Sequence, residues 1–413
     1  MRHGIGRRTL LTAAGATFSF PAIRAHAQAA GVALVIGNSK YQWEAPLPNV
    51  RRDAPDIARR FQAFGLKTDL VQDAGRDAIR KAIDNFSAAA RGAHLAAFYF
   101  AGHGAAWGKT TYLVPADADL ATPNTVDNLI PVPAVATGMD AASNRLLVFD
   151  NCRNNPADGW RQREAEAAAT QGDRFVMTPN TLRLFSTTPG RIALDGPAGE
   201  NSPFAAAFLR QFEGQSVDLQ TLSGRLRRDL LIATEGRQVL YGSSNYASPF
   251  VLKGTPAKAP ANKSAWASDP SKIVEIPNAY AFAQQNDLLL PEGLIAHRPP
   301  SSSRHGTKVG AFKFDSHSPE SGFTPTLVVV ISVEEQEGGE IIIARRVRGQ
   351  GTLRFIRAKL SGDTLDHPAV AGLQQYVFKW NDANSGSVTT FFSPRQGGGA
   401  TNMYNGRFTR LDG

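Results

Sequence analysis

The sequence contains a single cysteine, Cys152, among its 413 residues. One cysteine cannot close an internal disulfide, so a disulfide-stabilised scaffold is excluded. A zinc site needs three or four clustered ligands, and neither a second cysteine nor a cluster of histidines accompanies Cys152. The Cys152 thiol is therefore a core side chain, a reactive group or an intermolecular link.

Other chemical signatures are absent as well. The chain has no Gly-x-Ser-x-Gly elbow of the serine hydrolases, no glycine-rich phosphate loop and no internal repeat. Beyond residue 27 no apolar run reaches the roughly 20 residues that cross a bilayer, so no stable membrane span is expected. A composition of 42% hydrophobic and 20% charged residues excludes disorder throughout, and the length favours two or three folded units.

The first 27 residues lack acidic side chains but contain four arginines. The run Gly6–Leu11 resembles a twin-arginine export signal, and it is followed by a weakly apolar stretch and by Ala25-His26-Ala27. We therefore expect cleavage after Ala27 and a periplasmic or secreted protein. The alternative is a short membrane anchor, for which the apolar stretch is too short.

The positive charge of the chain is partly explained by this segment. The formal charge is +9, and removal of the four N-terminal arginines leaves +5, with acids and bases interleaved. This distribution gives no nucleic-acid footprint, so no nucleic-acid partner is expected.

Residues 28–253 alternate short apolar runs with helical periodicity, which predicts an α/β fold with a mostly parallel central sheet. Two of the predicted strands run directly into chemically capable residues. Leu95–Phe100 leads to Gly102-His103-Gly104, and Leu146–Phe149 leads to Asp150-Asn151-Cys152. Ligands bind beyond the carboxyl ends of such strands, so His103 and Cys152 share a site if their strands are neighbours.

A thiol becomes a nucleophile when a neighbouring base favours its thiolate form, and a histidine can then protonate the leaving amine. The backbone amides of Gly104 and Cys152 are candidates for stabilising an oxyanion.

The C-terminal part has a different composition. Residues 254–306 are rich in Pro, Ser, Ala and Lys, which predicts a linker with one possible helix over Ala279–Leu290. Residues 307–413 contain six strand-like runs separated by glycine-rich turns, which predict an all-β domain, a sandwich or a barrel.

At this point the residues resemble a known family, the bacterial caspase-like peptidases, which are relatives of metacaspases and paracaspases. The resemblance covers about residues 32–252 in order, and its most specific elements are Phe98–Gly104 and Val148–Pro156. The other matching elements are Val32–Asn38 with Tyr41, Leu47–Asn49, Asp53-Ala54, Tyr112–Asp117, Thr188–Gly190 with Asp195-Gly196, Asn201–Phe204 and Thr234–Gln238.

The resemblance implies a cysteine endopeptidase of the caspase and hemoglobinase fold acting on proteins or peptides. Cys152 would be the nucleophile and His103 the general acid and base. The two residues are 49 positions apart, close to the spacing of about 50 in caspase signatures. The family usually has Ala or Ser where this chain has Asn151, a difference that leaves the chemistry intact and affects a pocket wall.

The metacaspase-like branch carries an acid two residues before the nucleophile, here Asp150, and Asp53 matches a second pocket acid. Two carboxylates in one pocket would hold Arg, and less readily Lys, through charge-assisted hydrogen bonds. We therefore expect cleavage after basic residues. The alternative for Asp53 is that it caps the following helix.

A second hypothesis comes from another class: a catalytically silent caspase-like scaffold whose β domain binds cell-envelope partners. The predicted linker helix or Ser301–Arg304 could also lie across the cleft as a regulator. No cofactor or metal is expected. Calcium activation, known among metacaspases, does not carry over, because no acidic cluster for it is identifiable. The sequence does not indicate an oligomeric state.

Several peptidases of this kind cut themselves between the two halves of the catalytic domain. Here Arg161, Arg163 and Arg174 follow the nucleophile in a polar stretch. We expect active protein to show fragments ending at one of these arginines and the Cys152→Ala variant to stay intact, by intact-mass measurement. Identical masses for the two proteins would contradict self-cleavage.

Overall fold

The structure is a computed structural model. It describes residues 31–107, 110–122, 125–151, 177–188, 191–256, 270–299, 303, 305–318, 322–334, 338–347, 350–366, 374–392 and 401–412. Cys152, Arg161, Arg163, Arg174 and the predicted signal segment 1–27 lie outside the described residues. No helix in the described ranges has the length and apolar character that crossing a membrane requires.

The N-terminal part combines six helices with thirteen strands in the described residues. The helices are α1 (Val50–Ala63), α2 (Arg76–Ala90), α3 (Val132–Gly138), α4 (Pro203–Gln211), α5 (Leu219–Ala233) and α6 (Pro277–Gln285). The strands are β1 (Gly31–Gly37), β2 (Leu66–Gln72), β3 (Leu95–Ala101), β4 (Gly104–Trp107), β5 (Thr110–Leu113), β6 (Ile130–Pro131), β7 (Asn144–Asp150), β8 (Thr181–Phe185), β9 (Ser216–Asp218), β10 (Tyr241–Ser244), β11 (Val251–Lys253), β12 (Ile273–Val274) and β13 (Ala296–His297).

Six of these strands form the central sheet in the order β10-β8-β7-β3-β1-β2. The first five in chain order pair in parallel, and β10 is antiparallel to β8. Small antiparallel sheets join β4, β5 and β6, β9 with β11, and β12 with β13. This arrangement confirms the predicted α/β fold with a mostly parallel sheet.

The central strand β3 explains why its sequence is a continuous apolar run. All seven of its residues are buried. Leu95, Ala97 and Tyr99 pack on one face with α1, α4 and α5, whereas Ala96 and Phe98 pack on the other face with α2 and α3. A strand covered on both faces has no polar side, so alternation disappears.

Helix α1 begins earlier than the sequence predicts. It starts at Val50 with Asn49 at the N-cap position, so Asp53 lies inside the helix and does not cap it. The side chain of Asn49 accepts no cap bond from the helix. Its amide nitrogen bonds the carbonyls of Asp195 and Pro197 instead, at 2.6 and 2.9 Å. The alternative interpretation of Asp53 as a helix cap is therefore wrong, because long-range partners use its side chain, as described below.

The C-terminal domain is a closed barrel rather than a sandwich. Its strands are β14 (Gly310–Ser318), β15 (Gly322–Glu334), β16 (Gly338–Val347), β17 (Gln350–Ser361), β18 (Thr364–Asp366), β19 (Gln374–Trp380), β20 (Ser385–Phe392) and β21 (Thr401–Arg410). Consecutive strands pair antiparallel, and β21 closes onto β14 through Phe312 and Lys313. The sequence predicted six of these strands and missed the short β18 and the polar β21.

The barrel and the α/β domain share one apolar cluster. Leu231 and Val239 pack with outward-facing barrel residues of β15 and β16, among them Leu327, Val329 and Ile342. Residues 273–295, which lie within the predicted linker, pack between the barrel and the α/β domain. They include α6, which ends at Gln285, earlier than the predicted Leu290. Because β15 is covered inside and outside, Leu327–Ile331 is apolar without alternation.

This shared cluster leads to a stability prediction. Leu231 is fully buried, so Leu231→Ala should lower the free energy of unfolding by about 2 to 5 kcal/mol through lost burial and a residual cavity. The matched control is Leu289→Ala, because Leu289 is 54% exposed, and its effect should stay within about 0.5 kcal/mol. Denaturant titration measures both, and equal effects would contradict the packing described.

Candidate active site

The two strands that precede His103 and Cys152 are direct neighbours. Strands β3 and β7 pair in parallel with Ala101 opposite Asp150. Each candidate residue comes two positions after a member of this pair, so both strand ends are level at the carboxyl edge of the sheet. The condition set by the sequence is met for the strands, while Cys152 itself lies outside the described residues.

His103 is reached through a close backbone approach. The amide nitrogen of His103 donates to the Tyr41 hydroxyl at 2.7 Å, and the two rings lie 4.5 Å apart. A Cβ atom at Gly102 would come within 2.5 Å of the same hydroxyl. Glycine is therefore required before the histidine, because any side chain there would displace Tyr41.

The orientation of the imidazole is set by its other nitrogen. His103 Nε2 lies 2.7 Å from the carbonyl oxygen of Ala45. A carbonyl oxygen only accepts, so Nε2 carries the hydrogen and a neutral ring leaves Nδ1 as the acceptor. In this tautomer Nδ1 is the nitrogen that can take a proton from a thiol. The part played by Ala45 was not predicted, because its backbone carbonyl is the acceptor and any residue type could provide it.

The two predicted pocket acids are brought together by Ser202. The Ser202 hydroxyl donates to Asp150 Oδ2 at 2.7 Å, and its backbone amide donates to Asp53 Oδ1 at 3.0 Å. The same hydroxyl accepts from the amide of Ala205 and so caps α4. One serine thus fixes both carboxylates and the start of a helix, which explains the Asn201–Phe204 element noted in the sequence.

Asn201 adds a third acid to this group. Its Nδ2 donates to Asp53 Oδ1 and to Asp56 Oδ2, both at 3.0 Å. Two buried oxygens nearby, Asp53 Oδ2 and Asn201 Oδ1, have no hydrogen-bond donor among the described residues. Buried acceptors without donors are costly, so these oxygens are suited to a group that donates several hydrogen bonds at once.

Burial raises the pKa of Asp150 to about 6, and the hydrogen bond from Ser202 opposes this rise. Burial and the nearby charge of Asp150 also raise the pKa of Asp53 well above its usual value. Both carboxyls are almost completely enclosed, with 0% of Asp53 and 8% of Asp150 exposed. A cation bound beside these carboxyls would lower the pKa of both, because it favours their ionised forms.

Asp195 links the acids to the histidine. Burial raises the pKa of Asp195, and the nearby His103 opposes this rise. The charge of Asp195 in turn adds to the rise that burial causes in the pKa of Asp53 and of Asp150. Asp195 therefore lies close enough to both acids and to His103 to interact with them electrostatically. In the sequence, Asp195 is recognisable only as part of the family resemblance, and no role for it was predicted.

The remaining candidates are located less fully. Gly104 begins β4 and is paired with Leu113, so it belongs to a strand rather than to a turn. The amide of Cys152, its expected partner at an oxyanion, lies outside the described residues. No group of three or more His, Cys, Asp or Glu is arranged to hold a metal ion within the described ranges.

A comparison of the sequence with protein-family models identifies the family of this chain. The model described as "Caspase domain" matches residues 30–250, more than half of the chain. The chain belongs to the caspase-domain family. Its N-terminal part is a caspase-like peptidase domain, as the resemblance implied, and the family is one of cysteine peptidases acting on protein substrates.

The chain was also compared with solved structures and with curated proteins. Among solved structures, caspase-1 from Spodoptera frugiperda matches with 15% identity and a TM-score of 0.42, covering 55% of this chain and 91% of that chain. A search of curated proteins gives no significant match.

The raised pKa of Asp150 generates a pH-dependent stability prediction for the caspase domain. Its folded value of about 6 exceeds the usual 3.8, so ionisation disfavours the folded state as the pH rises between these values. Asp150→Asn should therefore stabilise the protein by about 1 to 3 kcal/mol at pH 7.5 and by much less at pH 4.

Denaturant titrations at the two pH values measure this difference. Asp69→Asn is the control, because Asp69 is exposed on β2 and should leave both values unchanged. A stabilisation by Asp150→Asn that is equal at both pH values would contradict an electrostatic origin.

Proposed function

We propose that this protein is a cysteine endopeptidase that cleaves peptide bonds after Arg, and less readily after Lys, with Cys152 as nucleophile and His103 as general acid and base. The observation that carries the proposal is the buried cluster of Asp53, Asp150 and Asn201 at the strand ends that carry His103 and precede Cys152. Family membership supports the chemistry.

In the proposed reaction, Nδ1 of His103 takes the proton of the Cys152 thiol. The thiolate then attacks the carbonyl carbon of the scissile bond, and the histidine returns the proton to the leaving amine. The resulting thioester is hydrolysed by a water molecule that His103 deprotonates. The bond between Nε2 and Ala45 supports this role, because it holds the ring in the required tautomer while Nδ1 gains and loses a proton.

The preference for Arg over Lys follows from the shape of the acceptor set. The acceptors are Asp150 Oδ2, Asp53 Oδ2 and Asn201 Oδ1, and the two acids are held in place by Ser202 and Asn201. A guanidinium is planar and offers five donors in a fixed fork, so it can supply several of these oxygens together. An ammonium group offers three donors from one point and would satisfy fewer of them.

Self-processing, export and the absence of a cofactor belong to the same proposal. Arg161, Arg163 and Arg174 match the proposed specificity, and the N-terminal segment matches a twin-arginine signal that would place the enzyme in the periplasm or outside the cell. The proposed mechanism uses only side chains and water, so it requires neither a metal nor an organic cofactor.

The test is a panel of short fluorogenic peptides that differ only in the residue before the scissile bond. We expect kcat/KM to be greatest for Arg, lower for Lys, and at least about 100-fold lower for Asp or Ala, because a buried carboxylate pair left without a cation costs several kcal/mol. Both Cys152→Ala and His103→Ala should abolish cleavage.

Each component of the proposal has its own contradicting result. Faster cleavage after Asp than after Arg would refute the pocket, and activity that persists in Cys152→Ala would refute the nucleophile. A folded wild-type protein that cleaves no peptide, with or without added calcium, would favour the silent scaffold. Chelation of divalent metals should leave the activity unchanged.

A further inference from the structure

The loop that carries Asp195 is held at several points. We call residues 191–200 the pocket loop, because it contains Asp195 and leads directly into Asn201 and Ser202. At its far end, Asn49 accepts from the amide of Gly199 at 3.1 Å and donates to the Asp195 carbonyl. These bonds hold one end of the pocket loop against the start of α1.

Gln238 holds the pocket loop at Leu194, the residue before Asp195. Its Nε2 donates to the Ser186 carbonyl at 2.9 Å, and its Oε1 accepts from the amide of Leu194 at 2.9 Å. Gln238 is 1% exposed, and its own amide donates to the Thr234 hydroxyl. The turn Thr234–Gln238 thus transmits its position to the pocket loop through a single buried side chain.

A patch on the barrel meets both the pocket loop and this turn. Ser332 on β15 and Glu340 on β16 are paired across the two strands, directly beside a β-bulge at Ile331. Val330 and Val333 point into the barrel, whereas Ile331 and Ser332 both point outward, toward the α/β domain. A bulge re-aims side chains in this way, so it turns Ser332 onto the neighbouring domain.

Glu340 reaches the pocket loop through an ion pair. Its carboxylate pairs with the guanidinium of Arg191, and Arg357 on the adjacent barrel strand lies 3.3 Å from the same oxygen. The side chain of Glu340 is 8% exposed and that of Arg191 is 26% exposed. A buried carboxylate needs such partners, so Glu340 holds Arg191 firmly at the first residue of the pocket loop.

Ser332 reaches the turn that positions Gln238. Its hydroxyl donates to the Gly236 carbonyl at 3.2 Å. Gly236 has a φ of +79°, and a Cβ atom there would lie 2.8 Å from the Cβ of Ser332. The turn requires glycine both for its backbone conformation and for the close approach of the barrel.

We propose that Glu340, assisted by Ser332, is a positioning residue for substrate binding, so that the barrel is a working part of the peptidase rather than a separate module. Arg191 and Gln238 connect the barrel patch to the pocket loop. This loop leads into Asn201 and Ser202, which hold the proposed substrate-binding acids Asp53 and Asp150. This inference rests on the proposed function, and it places the control of substrate affinity in a domain outside the caspase match.

The test uses full-length Glu340→Gln, which keeps the shape of the side chain and removes its charge. We expect KM for an Arg peptide to rise by about three- to tenfold with kcat within about twofold, the size of a single coupled ion pair. Arg357→Gln is the matched control, because it removes the other partner of Glu340 and leaves the pair with Arg191. Arg191→Gln and the double variant should both reproduce the KM of Glu340→Gln.

Amide hydrogen exchange gives a second readout that does not depend on activity. The amides of Leu194 and Gly199 should exchange faster in Glu340→Gln than in wild type, and those of β3 should not change. If the wild type cleaves nothing, the proposed function fails while the exchange result still decides the positioning role. An active wild type whose KM and exchange are both unaffected by Glu340→Gln would overturn the inference, as would additive effects of Arg191→Gln and Glu340→Gln.

Discussion

The parallel pairing of β3 with β7 is the constraint on which the site depends. It brings two segments, which are 49 residues apart at His103 and Cys152, to the same edge of one sheet. The pairing holds because β3 is buried on both faces, so its register is fixed by two sets of packed side chains. A slip by one residue would exchange those two sets and would move Asp150 away from Ser202.

The electrostatics of the pocket oppose the stability of the fold. Two enclosed acids lie close together, and burial makes their ionisation unfavourable. The N-terminus of α4 offsets part of this cost, because the hydroxyl and the amide of its N-cap Ser202 donate to the two acids where the helix dipole is positive. Buried acids whose ionisation is unfavourable are common at functional sites, where a ligand of opposite charge can stabilise the ionised forms.

The sequence predicted the fold of the domain better than it predicted the contacts of its polar side chains. The apolar strands and the residues that follow them were recognisable, because burial and residue type leave a pattern. The surroundings of Asp53 and Asp195 were harder to predict from the sequence. Asn201 and Ser202 approach Asp53, and His103 approaches Asp195, only after the chain has folded. The cap predicted at Asp53 failed for this reason: a local rule was overridden by donors almost 150 residues away.

The barrel shows the same limit. Strands such as Leu327–Ile331 were evident as apolar runs, but closure depends on β21, whose mixed polar sequence resembles a loop. The outward direction of Ser332 depends on a bulge, which adds one residue to a strand and has no consistent residue signature. Features that arise from register rather than composition are not visible until strands are paired.

The pairing of β7 with β8 has a further consequence for the integrity of the molecule. These strands lie on either side of residues 152–176, yet they are neighbours in the sheet and share five register pairs from Arg145 with Thr181 to Phe149 with Phe185. The covalent connection between them is therefore not what holds them together. A chain severed in that interval would become two polypeptides that still share one hydrophobic core, so the backbone can be discontinuous while the fold remains a single body.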